Sequence, residues 1–307
     1  MTPAPLALFA YNRPTHTERV VASLLKNRLA SETELFVYSD GPRRPEDAPL
    51  VDRVRKILHS ITGFKSVQII EQGRNLGLAN SVISGVSEVV QRYGKVIVVE
   101  DDLLLSPNFL TFMNTVLDFY SPFEKVYSVT GFSYPAGAIH IPKDYSYDVY
   151  LSYRCMSWGW ATWIDRWQTV DWKVTSFEHF LRDRKSQKLF NQGGEDLSDM
   201  LKLQMIGKID SWAIRWCYAH FQNQAFCLYP VRSLVSNLGF DRSGTHCGVA
   251  RRGLPRPELD DHWTAERLLD EISTNRQIVD SFRKIHKKSI FSRAKTKLNL
   301  FLSMGVL

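Results

Sequence analysis

Three consecutive carboxylates, Glu100, Asp101 and Asp102, follow an apolar run at 96–99 and precede the segment LLLSPNF. Side chains alternate faces along a strand, so at most two of the three point into one crevice. One or two carboxylates, completed by phosphate oxygens and water, form the ligand set that Mg²⁺ or Mn²⁺ takes. A cation held this way can bridge a diphosphate and stabilise its charge as it departs, an effect on the order of several kcal/mol. The competing reading is a solvated acidic turn.

Such a cluster does chemistry only if a rigid scaffold places it. The first 130 residues alternate short apolar segments (6–11, 34–39, 66–71, 96–99 and 126–130) with helical patterns (15–27, about 49–61, 78–93 and 107–120). That alternation predicts βαβ units: an α/β fold with a mostly parallel sheet flanked by helices. Open sheets of this kind bind ligands beyond the carboxyl ends of their strands. The first strand runs into Tyr11-Asn12-Arg13-Pro14, with no glycine. The dinucleotide fingerprint and the P-loop are therefore absent, and a bound phosphate needs another source of neutralising charge.

Composition bounds the rest. The chain has 307 residues, 44% apolar and 23% charged, the mix of a soluble globular protein. Its apolar runs are too short to span a bilayer, and the N-terminus lacks the pattern of a secretory signal. Cys155, Cys217, Cys227 and Cys247 form no CxxC pair, so neither a disulfide framework nor a zinc site is expected, and a reducing cytoplasm is. The net charge of +7 is concentrated: residues 276–297 hold eight Lys/Arg against Asp280 alone. A neutral body with one basic tail does not fit a nucleic-acid binder, and suggests a local anionic contact.

The second half changes character, with Trp158, Trp160, Trp163, Trp167 and Trp172 inside fifteen residues. The run VIVVEDDLLLSPNFL resembles the metal-binding strand and loop of GT-A-fold glycosyltransferases, in the EDD form found in N-acetylglucosaminyltransferase I. SWGWATW at 157–163, then LVSNLGF at 234–240 with Thr245-His246, resembles a group of bacterial sugar transferases. The resemblance spans roughly residues 5 to 250. It implies a GT-A-like (Rossmann-like) catalytic domain over 1–270. Within it, 1–130 would handle the nucleotide sugar and 131–270 the acceptor, with a basic amphipathic helical tail at 271–307.

The resemblance assigns residues as well. Asp102 becomes the direct ligand of Mn²⁺ or Mg²⁺, with His246 reaching the metal or diphosphate; a neutral imidazole is a competent ligand. Asp101 and Glu100 contact the donor sugar or ribose. Asn12, Arg13 and Asp40 fall where the family holds base and ribose, and Arg74 and Asn75 lie in a donor-site segment. Arg13 and Gly77 also read as plain turn and helix-entry residues. Inverting transfer needs a carboxylate at the acceptor hydroxyl. Asp210, in KIDSWAIRW, is the first candidate. Asp196 is second, in a Gly194-Glu195-Asp196 run that superficially resembles the GGED signature of family 2 transferases but also suits the start of a helix at 197–206. Most of the tryptophans suit a core; Trp158 and Trp160, flanking Gly159, are the expected acceptor contacts, because glycine admits a close ligand.

The expected activity is metal-dependent, inverting transfer from a nucleoside-diphosphate sugar, UDP-sugar before GDP- or dTDP-sugar, UDP-GlcNAc for example. The acceptor would be a glycan or a lipid-linked hydroxyl in bacterial surface polysaccharide synthesis. In the tail, Ile278, Phe282 and Ile285 recur at helical spacing beside Arg283, Lys284, Lys287 and Lys288, followed by Leu298, Leu300, Phe301 and Leu302. That pattern predicts peripheral contact with an anionic membrane through residues 276–302; an ordinary packed basic helix is the alternative. Two other functions compete. A sugar nucleotidyltransferase would want a glycine-rich basic loop after the first strand, which Tyr11–Pro14 does not provide. A non-catalytic carbohydrate-binding or scaffold protein would bind no nucleotide.

Overall fold

The computed structural model of the protein describes residues 2–135, 137–239 and 257–287. Its N-terminal part runs β1 (Leu6–Ala10), α1 (Pro14–Leu25), β2 (Glu34–Ser39), α2 (Ala48–His59), β3 (Ser66–Glu71), α3 (Leu78–Tyr93) and β4 (Lys95–Glu100). A short β5 (Leu103–Leu105), α4 (Phe109–Tyr120) and β6 (Val126–Thr130) follow. Then come β7 (Val149–Ser152), β8 (Trp160–Trp163), α5 (Ile164–Trp167), α6 (Phe177–Arg182), α7 (Arg184–Phe190) and α8 (Leu197–Met205). The described chain ends with α9 (Trp212–Gln222), β9 (Phe226–Pro230), β10 (Val235–Asn237) and α10 (Arg276–Ile285).

Eight strands form one sheet in the order β3-β2-β1-β4-β8-β6-β9-β7, and β10 pairs with β5 in a separate ribbon. β1, β2, β3 and β4 are mutually parallel, as the βαβ reading expects. Positions along β1 are apolar and buried throughout, the pattern of a strand covered on both faces. β8 enters antiparallel between β4 and β6, and β7 closes the far edge antiparallel to β9. The sheet is therefore mixed, and it draws strands from both halves of the chain.

Local chemistry sets the element ends. Pro14 opens α1, where its missing N–H is no loss. Gly94 ends α3 in the left-handed region at φ +77°. Ser211 caps α9 through its side chain, and Asn275 caps α10.

The tryptophan-rich segment builds the core beneath β8. Trp160 is fully buried and stacks on Trp212 at 4.9 Å between centroids, with Trp167 and Trp216 around it. Trp163 donates from Nε1 to the Leu117 carbonyl, and Trp167 to the Ser87 hydroxyl. Gly159, at φ +56°, leaves room for Val235 and Phe109: a Cβ there would lie 2.8 Å from one and 2.9 Å from the other. The glycine serves packing, and the expectation that Trp160 meets an acceptor is corrected: no part of it reaches solvent.

Where the basic tail is described, its apolar positions pack on the core. Ile278 and Phe282 are fully buried, and Phe282 packs edge-on against Tyr134, Tyr150 and Tyr229. The apolar stripe of α10 covers the β9–β7 edge of the sheet and is not available to lipid. Arg276, Arg283, Lys284 and Lys287 remain exposed, and residues 288–302 lie outside those described. Among the described residues, no helix is long and apolar enough to cross a membrane. Phe282→Ala should destabilise the protein by about 3–5 kcal/mol in urea unfolding, the usual cost of emptying a buried aromatic site. Unchanged stability would mean that this face is not held by the core.

Candidate active site at the β1–β4 switch point

The chain leaves β1 toward β2 and β3 on one side and returns to β4 on the other. The crevice beyond the carboxyl ends of β1 and β4 is therefore the topological switch point of the sheet. Arg13 enters it from β1, and Glu100, Asp101 and Asp102 from β4. The Asp101 N–H donates to the Phe9 carbonyl, and the Tyr11 N–H donates back to Asp101 Oδ2 at 3.0 Å, so the two strand ends are tied to each other.

Two of the three acidic side chains share the Arg13 guanidinium. Arg13 Nη2 donates to Asp101 Oδ1, and Nη1 donates to Asp102 Oδ2 at 3.0 Å. Both carboxylates are buried, with side chains 4% and 9% exposed, against 21% for Arg13. Burial pushes the Asp102 carboxyl up, and the Arg13 charge pulls against it. Glu100 has no such partner: burial, then Asp102 and Asp101, push it up to about 8.

The segment at 234–239 closes over this cluster. β10 pairs antiparallel with β5, directly after the carboxylates. The Leu238 N–H donates to the Asp102 carbonyl at 2.7 Å, and Asn237 Oδ1 accepts from the Gly239 N–H at 2.6 Å. A Cβ on Gly239 would sit 2.5 Å from Asp102 Oδ2. Only glycine leaves that oxygen its space, so the EDD and SNLG motifs are two walls of one site. His246 lies outside the described residues, and among those described no group of three or more His, Cys, Asp or Glu is disposed as a metal site.

Asp40, expected at the nucleotide, is engaged elsewhere. Its Oδ1 accepts from the Gly41 and Leu76 N–H groups, and its Oδ2 from the Gly77 N–H and Asn75 Nδ2, all between 2.8 and 3.0 Å. A carboxylate has about four acceptor positions, and all are used. This corrects the assignment: Asp40 clamps the 75–77 turn to the end of β2 and positions the entry to α3. Gly41 permits the approach, since a Cβ there would meet the Arg74 backbone at 2.6 Å. Asn75 spends its amide nitrogen on the same clamp. The Arg74 side chain is exposed. Asn12 donates to Asp47 at 3.4 Å, and Asp47 also accepts from the Tyr11 hydroxyl at 2.9 Å. No sequence motif signalled this Asp47 anchor.

The two base candidates part company. Arg154 forks onto Asp196 at 2.8 and 3.1 Å, and His286 lies 3.6 Å away. Burial opposes ionisation of Asp196, but Arg154 and His286 outweigh it and hold the carboxyl well below the usual range. Asp196 is thus corrected to a structural ion pair at the start of α8, and a poor base. Asp210 has a side chain 65% exposed, with Arg215 at 3.9 Å. It faces the donor-side turn: a Cβ on Gly77 would be 4.0 Å from Asp210 Oδ2. Its loop is held by Gln204, which accepts from the Ser211 N–H at 2.6 Å. Trp158 is half-buried, edge-on to Phe132.

Residues 7–121 match the profile of glycosyl transferase family 2. That range is similar to a glycosyltransferase domain of that family. The fold is GT-A-like, and the matched range holds β2 to β5, α4 and the crevice residues Arg13, Glu100, Asp101 and Asp102, while the 234–239 wall lies outside it. Among solved structures, the chain is similar to the mannosyltransferase PcManGT from Pyrobaculum calidifontis in complex with GDP-Man and Mn²⁺. Identity there is 13% and the TM-score 0.38, over 54% of this chain and 46% of that one. It is also similar to TarS of S. aureus, at 12% identity and a TM-score of 0.38, over 75% of this chain and 36% of TarS. Against LgtC, in complex with donor and acceptor sugar analogs, identity is 11% and the TM-score 0.34, over 58% of this chain and 64% of LgtC. The chain thus spans less than two thirds of each. No curated protein matches it.

Two outcomes follow for this crevice. Asp40→Asn supplies only one accepting oxygen and should lower stability by about 2 kcal/mol or more in urea unfolding. A loss of nucleotide affinity at unchanged stability would instead return Asp40 to the ligand. Glu100 is raised from 4.5 to about 8 in the fold. Its stabilising contribution is complete below about 4.5 and is lost as pH rises toward about 8. In EDTA, Glu100→Gln should make the decline of stability across that window shallower; an identical pH profile would show that Glu100 is not buried as a neutral acid.

Proposed function

We propose that the chain moves a sugar from a nucleoside-diphosphate sugar to a hydroxyl of a glycan or lipid-linked acceptor in surface polysaccharide synthesis. Transfer is a single inverting displacement assisted by Mn²⁺ or Mg²⁺, and a UDP-sugar such as UDP-GlcNAc is the favoured donor. The observation that carries this reading is the meeting of Arg13, Asp101 and Asp102 under Gly239 at the β1–β4 switch point.

That cluster suits a hard divalent cation. Its donors are carboxylate oxygens, and the missing side chain at Gly239 keeps Asp102 Oδ2 clear. Asp102 would hold the ion, with Asp101 beside it. Such an ion, when bound, stabilises the charge of the leaving diphosphate.

The remaining work belongs to the protein's own groups. Arg13 binds diphosphate oxygens with its planar fork once it leaves Asp101 and Asp102. Asn12, the turn at 75–77 and the exposed Arg74 take the base and ribose in this reading. Trp158 offers a ring face to the acceptor sugar. Asp210 takes the proton from the acceptor hydroxyl as that oxygen bonds to the anomeric carbon and the bond to the diphosphate breaks. Arg276, Arg283, Lys284 and Lys287 leave a basic face for electrostatic attraction to an anionic acceptor-bearing surface, without insertion.

UDP, GDP, dTDP and CDP should be compared in thermal melts, each with Mn²⁺ and with EDTA. Ligand at 100 times its Kd adds roughly 2.7 kcal/mol to the folded state, several degrees for a chain of this size. A shift with UDP that needs Mn²⁺ and disappears in Asp102→Asn is the expected result; no shift with any nucleotide would overturn the proposal. Asp210→Asn should keep that shift and lose turnover by about 10²-fold or more. Loss of the shift in that variant would mean that Asp210 binds the donor and does not act as the base.

A further inference from the structure

We infer that Arg13 is a built-in competitor for the divalent cation, surrendering Asp101 and Asp102 only when a diphosphate gives its guanidinium another partner. The inference rests on the metal reading proposed above and adds an order to it: ion and donor enter together. Arg13 engages both carboxylates at once, and one of its contacts is Asp102 Oδ2, the oxygen that Gly239 keeps clear. The guanidinium takes a lone pair of that oxygen and sets its own positive charge where an ion would sit, so the two repel each other at the same carboxylates. A compact bound charge and a planar donor fork are alternatives at the same lone pairs.

The local structure lets the exchange occur without moving the fold. The Arg13 backbone is pinned: the Thr17 N–H and hydroxyl both donate to its carbonyl, at 2.9 and 3.0 Å, and Pro14 fixes the start of α1. Arg13 caps no helix with its side chain. Rotation of that side chain alone, from a position already 21% exposed, takes it from the carboxylates toward the open crevice. Two buried carboxylates left without a cation are costly, so Arg13 stays until a replacement arrives. A diphosphate offers the guanidinium a bidentate partner of the kind that it binds best. Donor and ion together bring nearly balanced charge, so neither the carboxylates nor the arginine is left unpaired.

The competition is read by binding of Mn²⁺ alone, followed by electron paramagnetic resonance of the free ion, to the full chain without nucleotide. Arg13→Gln removes the competing charge and should bind Mn²⁺ at least about tenfold tighter than the wild type, within the usual range of coupling between ligands. Arg13→Lys can satisfy only one carboxylate and should fall between them. That variant also carries the test if Arg13→Gln does not fold, as judged by circular dichroism. Adding Asp102→Asn to Arg13→Gln should abolish the gain. Equal Mn²⁺ affinity in wild type, Arg13→Lys and Arg13→Gln would overturn the inference while leaving the metal site standing. No Mn²⁺ bound by any of them, even with UDP, would overturn the metal reading and this inference with it.

Discussion

Two neighbouring carboxylates below the surface need a cation, and meeting that need organises the crevice of this protein. Asp101 and Asp102 follow the last residue of β4; the arginine that serves both lies three residues beyond the end of β1. The pair forms only because β1 and β4 are hydrogen-bonded neighbours in parallel register, Phe9 opposite Glu100. Pro14 and Thr17 then fix where Arg13 starts, and the β5–β10 ribbon brings Gly239 against Asp102. Helix starts, strand order and a distant ribbon all converge on one ion pair. An isolated carboxylate at this depth would be pushed toward its neutral form, and Glu100, lacking a direct partner, is pushed that way.

Much of the N-terminal scaffold was legible in the sequence. The segments 34–39, 66–71, 78–93 and 126–130 coincide with β2, β3, α3 and β6, because apolar periodicity and glycine boundaries are local signals. The position of β8 was not legible. WATW is a short apolar run among tryptophans, and pairing between β4 and β6 is decided by which neighbours it can bury against. For the same reason the apolar stripe of α10 looked like a membrane face. An amphipathic pattern says that one face needs cover, and only the face of β7 and β9, with its tyrosines, says what provides it.

The site residues divide along a similar line. Asp101 and Asp102 were singled out by residue type, Arg13 and the 234–240 segment by the family resemblance, and the fold brings Arg13, both carboxylates and Gly239 together. Asp40 and Asp196 carry the same functional group, yet their oxygens are already taken by the 75–77 turn and by Arg154. Residue type shows what a side chain can do; whether its lone pairs are spent is a tertiary property. Trp160 fails in the same manner, since a ring face stacked on Trp212 cannot also stack on a sugar.

Spent and unspent capacity also separates the scaffold from the chemistry. The Arg154–Asp196 fork is buried, doubly hydrogen-bonded and closed off by His286, so removing a proton acceptor's freedom there buttresses the seat of α10. Asp210 shows the opposite condition. Its only described partner is Arg215 at 3.9 Å, beyond hydrogen-bond length, while Arg215 itself is fastened to the Trp172 carbonyl. The carboxylate is oriented without being consumed, and it overlooks Gly77, where the Asp40 clamp ends and α3 begins. A group that must accept a proton during each turnover has to keep a lone pair open toward the substrate, so the two candidate carboxylates differ by what already occupies them more than by where they stand in the sequence.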